Sequence, residues 1–239
     1  AQELSDDLYK VIKQGLYYSD LSKGSFDITI GSISSLWDFK KHTLPEDPLI
    51  QHHLHDVSYK NIILENHKIR FLNTETMIDL GAIAKGYIAD QIKNYLLKEN
   101  VKSALINLGG NILCVGKKQE NPFIIGVTNP QQTSDSLFSL KINDLSVVTS
   151  GTYQRFFEID SKRYHHILNP KTGYSYENGL SSVSKKSIQG DALSTVCFSL
   201  GKEKGLELLN SLEGVSGCFI DENNQVSYSK AFKHYLNKD

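Results

Sequence analysis

Several short stretches of this sequence gather residue types that could do chemistry. In Gly190-Asp191-Ala192-Leu193-Ser194-Thr195 a carboxylate and a hydroxyl lie four residues apart. On a helix, Asp191 and Thr195 would share one face, one turn apart. Such a pair suits a hard, oxygen-preferring cation with open positions for phosphate oxygens. Spacing alone favours a plainer reading, an N-terminal Asp cap followed by a buried Thr. In His165-His166-Ile167-Leu168-Asn169-Pro170 the two imidazoles sit in a strand-like run, so they should face opposite sides. One of them could act as a general base near neutral pH; a polar residue beside a turn is the ordinary alternative, more so for His165 than for His166.

Three further stretches could hold an anion. Asp79-Leu80-Gly81-Ala82-Ile83-Ala84-Lys85-Gly86-Tyr87 reads as a strand end running into a helix. Helix-start N–H groups attract phosphate, and Lys85 would add a point charge. The stretch matches neither a Walker loop nor GxGxxG, and alone it is better read as an ordinary strand-to-helix turn. Asn107-Leu108-Gly109-Gly110-Asn111 would let a backbone approach a ligand, or simply close a tight hairpin, the better reading in isolation. Thr149-Ser150-Gly151-Thr152-Tyr153 crowds hydroxyls into one bend, suited to a ribose or phosphate and equally to a Ser/Thr turn.

The elements that must position these residues follow from periodicity and turn chemistry. Leu4, Leu8, Val11, Ile12 and Leu16 fall at helical spacing over 4–18, capped by Ser5 or Asp6. Residues 19–39 read as a loop, a short apolar stretch and then a turn, and 41–56 as an exposed polar loop. NIILENHKIRFL predicts a hairpin around Glu65-Asn66-His67, and MIDLGAIAKGYIADQIKNYLLKEN is expected to start as a strand end and become a helix running to about Lys98. Strands alternate with turns from Ser103 to about Ser175. Helices at 190–201 and 202–212, a terminal hairpin and a short tail helix complete the pattern. This predicts an α+β fold with mostly antiparallel sheets, one compact unit with room for two lobes.

Composition narrows the partners. With 26 basic against 27 acidic residues, nothing favours nucleic acid or an anionic membrane surface. No stretch has the apolar length of a membrane span. Cys114, Cys197 and Cys218 form no CxxC pair, which argues against a disulfide framework or a Cys-built zinc site. The chain opens without Met, and its single Met is Met77, so it reads as a mature or trimmed product.

Taken in order, DLGAIAKGY, NLGGN, VVTSGTYQRFFE, RYHHILNPKTGY and GDALST resemble the signature blocks of the ApbE-type flavin transferases. FDITIGSISSLW at 26–37 resembles that family's FDxTxGPLxxLW segment. The resemblance implies a T-fold-like ApbE architecture over residues 1–239, FAD as substrate and Mg²⁺ as cofactor. It implies transfer of FMN through a phosphoester bond to Thr or Ser of an acceptor protein, with release of AMP. The acceptor would carry an FMN-binding domain, as in a redox-pump subunit or an extracellular electron-transfer protein. The site of action would be the extracytoplasmic face of the bacterial cell membrane, with the full-length form a lipoprotein. The family's metal ligands map to the side chains of Asp191 and Thr195 and a main-chain carbonyl near Ala82. Its pyrophosphate lysine maps to Lys85, and its catalytic His to His166, with Asp191 the alternative base. Asp79, Gly109, Gly110, Thr149, Ser150 and Gly151 map to the nucleotide-binding segments. Asn169 and Asn111 stand where the family usually or often has Asp. The family also begins with a further segment before the point matching Ser5, which this chain is expected to lack. Two alternatives use the same site: an FAD pyrophosphatase giving FMN and AMP, and a non-catalytic FAD-binding protein.

Overall fold

The computed structural model describes residues 1–132, 134–151, 155–176, 180–184, 186–221 and 223–238. In chain order the first elements are β1 (Gln2–Glu3), α1 (Asp6–Leu21), α2 (Gly31–Ser34), α3 (Asp47–His53), β2 (Ile62–Glu65) and β3 (Lys68–Phe71). There follow α4 (Ala84–Lys98), β4 (Ser103–Leu108), β5 (Asn111–Gly116), β6 (Phe123–Thr128), β7 (Ser136–Ile142) and β8 (Ser146–Ser150). The last are β9 (Phe156–Ile159), β10 (Lys162–His165), β11 (Leu180–Ser184), α5 (Ser187–Leu200), α6 (Lys202–Ser211), β12 (Val215–Ile220) and β13 (Val226–Tyr228). Packing divides them into two compact units, Ala1–Gly81 with Thr152–Glu177, and Ala82–Gly151 with Asn178–Asp239. The fold is α+β with antiparallel strand pairing throughout its sheets, as the sequence predicts.

In the first unit, Ser5 caps α1 by accepting from Leu8 N at 3.3 Å. The helix buries Val11, Ile12, Gly15 and Tyr18 and leaves Leu8 exposed. Gly15 is required by contact: a Cβ there would meet Ile28 Cγ2 at 2.6 Å. The hairpin of β2 and β3 turns on Asn66 and His67, both at positive φ, the geometry that matches strand twist. The polar segment 41–56 is not the expected loop, since α3 and a 3₁₀ turn at Leu54–Asp56 lie within it. Ile50 supplies the reason, being fully buried against Ile33 and Trp37. Residues 26–37 likewise contain α2, and Trp37 Nε1 donates to Gly173 O at 3.2 Å from an aromatic cluster with Phe157, Tyr164 and Tyr174.

The second unit is built on a six-stranded sheet, ordered β13-β12-β11-β8-β5-β4. One face carries the hairpin of β6 and β7, whose Ile125, Val127, Leu140 and Ile142 pack on Cys114, Val147 and Cys218. The other face carries α4 and α5, with Ala89 of α4 against Leu113 and Val115. Side-chain alternation therefore sends Cys114 and Val147 one way, and Asn111, Ser146, Val148 and Ser150 toward the helices. All three cysteines are buried thiols, as expected. No helix among the described residues is long and apolar enough to cross a membrane.

Candidate active site

Helix α5 begins at Ser187, three residues before the predicted start, so Asp191 is not an N-cap but lies in the second turn. That places Ser187, Gly190, Asp191, Ser194 and Thr195 along the side of α5 facing β8. Rung by rung, Ser146 Oγ lies 3.0 Å from Ser187 Oγ, and Ser150 Oγ lies 2.7 Å from Ser194 Oγ. Between them, a Cβ on Gly190 would meet Ser184 Oγ at 2.6 Å and Val148 Cγ2 at 3.2 Å, so any larger residue would displace the Ser184 hydroxyl. Ser194 Oγ donates to Asp191 O at 2.8 Å, which makes Ser150 the donor to Ser194. Thr195 Oγ1 then stands 3.4 Å from Ser150 Oγ with acceptor lone pairs to offer.

The Asp191 carboxylate, 3% exposed, accepts from Gly86 N through Oδ2 at 2.8 Å and has Lys85 Nζ 3.8 Å from Oδ1. Burial pushes its pKa above the usual carboxylate value, opposed by Lys85, the Gly86 N–H and the nearby Asn111 amide. Gly86 lies in the first turn of α4, whose own N-cap residue, Ile83, makes no side-chain cap. Asp191 thus supplies negative charge and an acceptor to the positive end of another helix. Asn111 Oδ1 accepts from Ser187 Oγ at 2.5 Å, which orients the carboxamide, and its Nδ2 is buried with no hydrogen-bond partner.

The structure thus gathers Lys85, Ser150 and Thr195, all partly exposed, around the buried Asp191, with Ala82 in the turn ahead of α4. Thr149 and Ser150 are the last residues of β8 rather than a turn, and alternation puts the Thr149 side chain on the face opposite Ser150. Gly151 follows as a buried residue; Thr152 and Tyr153 lie outside the described residues. Gly109 and Gly110, at φ +60° and +91°, form the two-residue turn between β4 and β5, closed by Gly110 N donating to Asn107 Oδ1 at 3.0 Å. That turn immediately precedes Asn111.

Asp79, in the first unit, is exposed and accepts from Gly81 N at 2.8 Å and Ser34 Oγ at 3.0 Å, so it shapes its own loop. In the same unit β10 ends at His165, and the opposite-face argument for adjacent strand residues therefore stops there; His166 is the first residue beyond. His165 is 2% exposed, its Nε2 donating to Tyr176 O and its Nδ1 accepting from Ile167 N at 3.2 Å. Burial lowers its pKa to about 4. It is a neutral structural imidazole. His166 is half-buried, with its backbone N–H donated to Arg155 O at 3.2 Å.

The donor set passes a chemical test for Mg²⁺. The oxygens are hard, and one carboxylate and one hydroxyl leave room for ligand oxygens. No group of three or more His, Cys, Asp or Glu suited to a metal occurs among the described residues.

Sequence reading missed Asp90, Ser146 and Ser187. Ser187 fell outside the predicted helix, and nothing in the spacing of the three signals the partners they find in another helix or strand.

A buried carboxylate, a partly exposed lysine and a row of hydroxyls thus meet where two helices pack on a sheet, a donor set suited to phosphate oxygens. The model of the ApbE family matches residues 1–219, and the chain belongs to that family. The FAD:protein FMN transferase of Klebsiella pneumoniae (strain 342) is 39% identical over 234 residues, 95% of this chain and 72% of its own. That of Treponema pallidum (strain Nichols) is 34% identical over 244 residues, 93% of this chain and 67% of its own. The crystal structure of the ApbE protein from Thermotoga maritima superposes with a TM-score of 0.91 at 28% identity, covering 99% of this chain and 80% of that one.

Proposed function

We propose that this enzyme transfers the FMN moiety of FAD to a Thr or Ser hydroxyl of an acceptor protein, releasing AMP. The observation that carries this reading is the cluster of Thr195, Ser150 and Lys85 around the buried Asp191, in a chain whose relatives bear the name FAD:protein FMN transferase. In the reaction, the acceptor oxygen forms a bond to the FMN phosphorus, the pyrophosphate P–O bond breaks, and AMP leaves with the electron pair. Lys85 places a positive charge beside the pyrophosphate. His166 takes the proton of the acceptor hydroxyl, with Asp191 as the alternative base. Asp191, Thr195 and the carbonyl of Ala82 would hold Mg²⁺, which supplies neutralisation of phosphate charge when bound. The Gly109-Gly110 turn and Thr149-Ser150-Gly151 would approach the nucleotide through backbone N–H groups and the Ser150 hydroxyl.

The acceptor we favour is a protein with an FMN-binding domain, a redox-pump subunit or an extracellular electron-transfer protein. The proposed location is the extracytoplasmic face of the cell membrane, the full-length form being a lipoprotein. Both rest on the family's motifs in this sequence. The test is mass spectrometry of such an acceptor after incubation with FAD and Mg²⁺. An FMN-sized adduct on Thr or Ser is expected. Rapid release of free FMN without adduct would assign the site to hydrolysis instead.

A further inference from the structure

Helices α4 and α5 cap each other. Asp191 of α5 accepts from Gly86 N in the first turn of α4, at 2.8 Å. In return, Asp90 of α4 accepts from Ser187 N and Ile188 N, the first two N–H groups of α5, at 2.8 and 2.9 Å. Neither helix has a side-chain cap from its own N-cap residue, Ile83 or Lys186. Each carboxylate therefore meets the positive end of the other helix and satisfies N–H groups that would otherwise lack partners. Contact locks the same place: a Cβ on Gly86 would lie 2.4 Å from Ser187 O, so the backbones touch there.

The two caps are unequal in what they leave over. Asp90 uses both oxygens on backbone N–H groups. Asp191 gives Oδ2 to the Gly86 N–H and turns Oδ1 toward Lys85 Nζ, 3.8 Å away. We propose that Asp90 is a positioning residue of the active site. By anchoring the start of α5 to α4, it sets where Asp191 and Thr195 stand relative to Lys85 and Gly86. It touches no reacting atom. The inference rests on the reading above that Asp191 and Thr195 face a cation shared with phosphate.

The experiment uses the full chain with FAD. Amide exchange at Gly86 is measured by NMR, and Mn²⁺ binding by electron paramagnetic resonance. The proteins are wild type, Asp90→Ala, Asp90→Asn, Asp191→Ala and Leu140→Ala. Leu140 is buried in the cluster on the opposite face of the sheet, and its variant serves as a control for global stability. At matched stability, Asp90→Ala should speed exchange at Gly86 roughly tenfold over the Leu140→Ala control, the scale of losing a helix cap. It should weaken Mn²⁺ binding by a similar factor, and Asp90→Asn, which keeps one acceptor oxygen, should recover part of both. Should Asp90→Ala not fold, Asp90→Asn against the control decides. Exchange at Gly86 no faster than in Leu140→Ala, or unchanged Mn²⁺ affinity, overturns the proposal. Asp191→Ala binding Mn²⁺ like wild type would instead remove the cation reading, and Gly86 exchange alone would then judge Asp90.

Discussion

Two buried aspartates, one in each unit, are alike in burial and unlike in their partners. Asp27 and Asp191 are 6% and 3% exposed, and burial pushes the pKa of each upward. Their partners differ. Asp27 Oδ1 accepts from Thr29 N at 2.9 Å and Thr29 Oγ1 at 2.7 Å, and its Oδ2 from Tyr59 N at 2.8 Å. All are local or loop-closing bonds, and they commit both oxygens. Asp191 has one short bond, to Gly86 N, and faces a lysine and a hydroxyl-bearing helix side. Burial raises the pKa of both alike, so it is the partners that tell the two apart.

Neutralising each aspartate tests that contrast most directly. Asp191→Asn should lower FMN transfer by about 10³-fold while the chain stays folded, the upper range for losing one preorganised electrostatic group. Asp27→Asn should instead cost about 1–3 kcal/mol of stability, since it puts a donor where an N–H needs an acceptor. Transfer by folded Asp27→Asn should stay near wild type. Single-turnover transfer and urea denaturation of both variants measure this; comparable losses of transfer would erase the distinction.

The two histidines sharpen it within one unit. His166→Ala should reduce transfer by roughly 10²-fold with FAD binding nearly intact, the scale of a lost general base. His165→Ala should mainly destabilise, because its ring bridges Tyr176 O and Ile167 N. Calorimetric FAD titration beside single-turnover assays separates the two. A loss in His166→Ala explained wholly by weaker FAD binding would remove its role as base.

Backbone contacts give a smaller effect. Gly86→Ala would set a methyl 2.4 Å from Ser187 O and should destabilise by about 1–3 kcal/mol, weakening FAD binding as Asp191 shifts. Gly109→Ala meets nothing within 4 Å, but its φ of +60° should cost roughly 1–2 kcal/mol. Urea midpoints and FAD affinity report both, and unperturbed FAD binding in Gly86→Ala would show that the crossing tolerates displacement.

The smallest effect concerns pH. Burial, and after it the nearby His166 and Arg163, holds the folded-state pKa of His165 at about 4, against about 6.5 in an unfolded chain. Below about pH 6.5 the unfolded chain gains a proton that folded His165 refuses, so its contribution, full above that pH, is lost as pH falls toward 4. The urea midpoint should fall from pH 7.5 to 5, and His165→Gln should flatten that slope.

Much of the fold was legible before the structure. The hairpin at Asn66-His67, the helix ending near Lys98 and the Gly109-Gly110 turn follow from local rules, because turn φ angles and helical periodicity are written within a few residues. So is the family, in its ordered motifs, and with it Asp191, Thr195 and Lys85 as candidates. The segment 41–56 was misread because its polar composition hides one deeply buried anchor, Ile50. The start of α5 was misplaced because its cap comes from Asp90, 97 residues away from Ser187. Sequence alone thus determined the residue types of the site and their local conformations. Only the tertiary structure decided which carboxylates and hydroxyls are used up by the fold, because hydrogen-bond partners across a sheet or between helices are set by packing rather than by spacing along the chain.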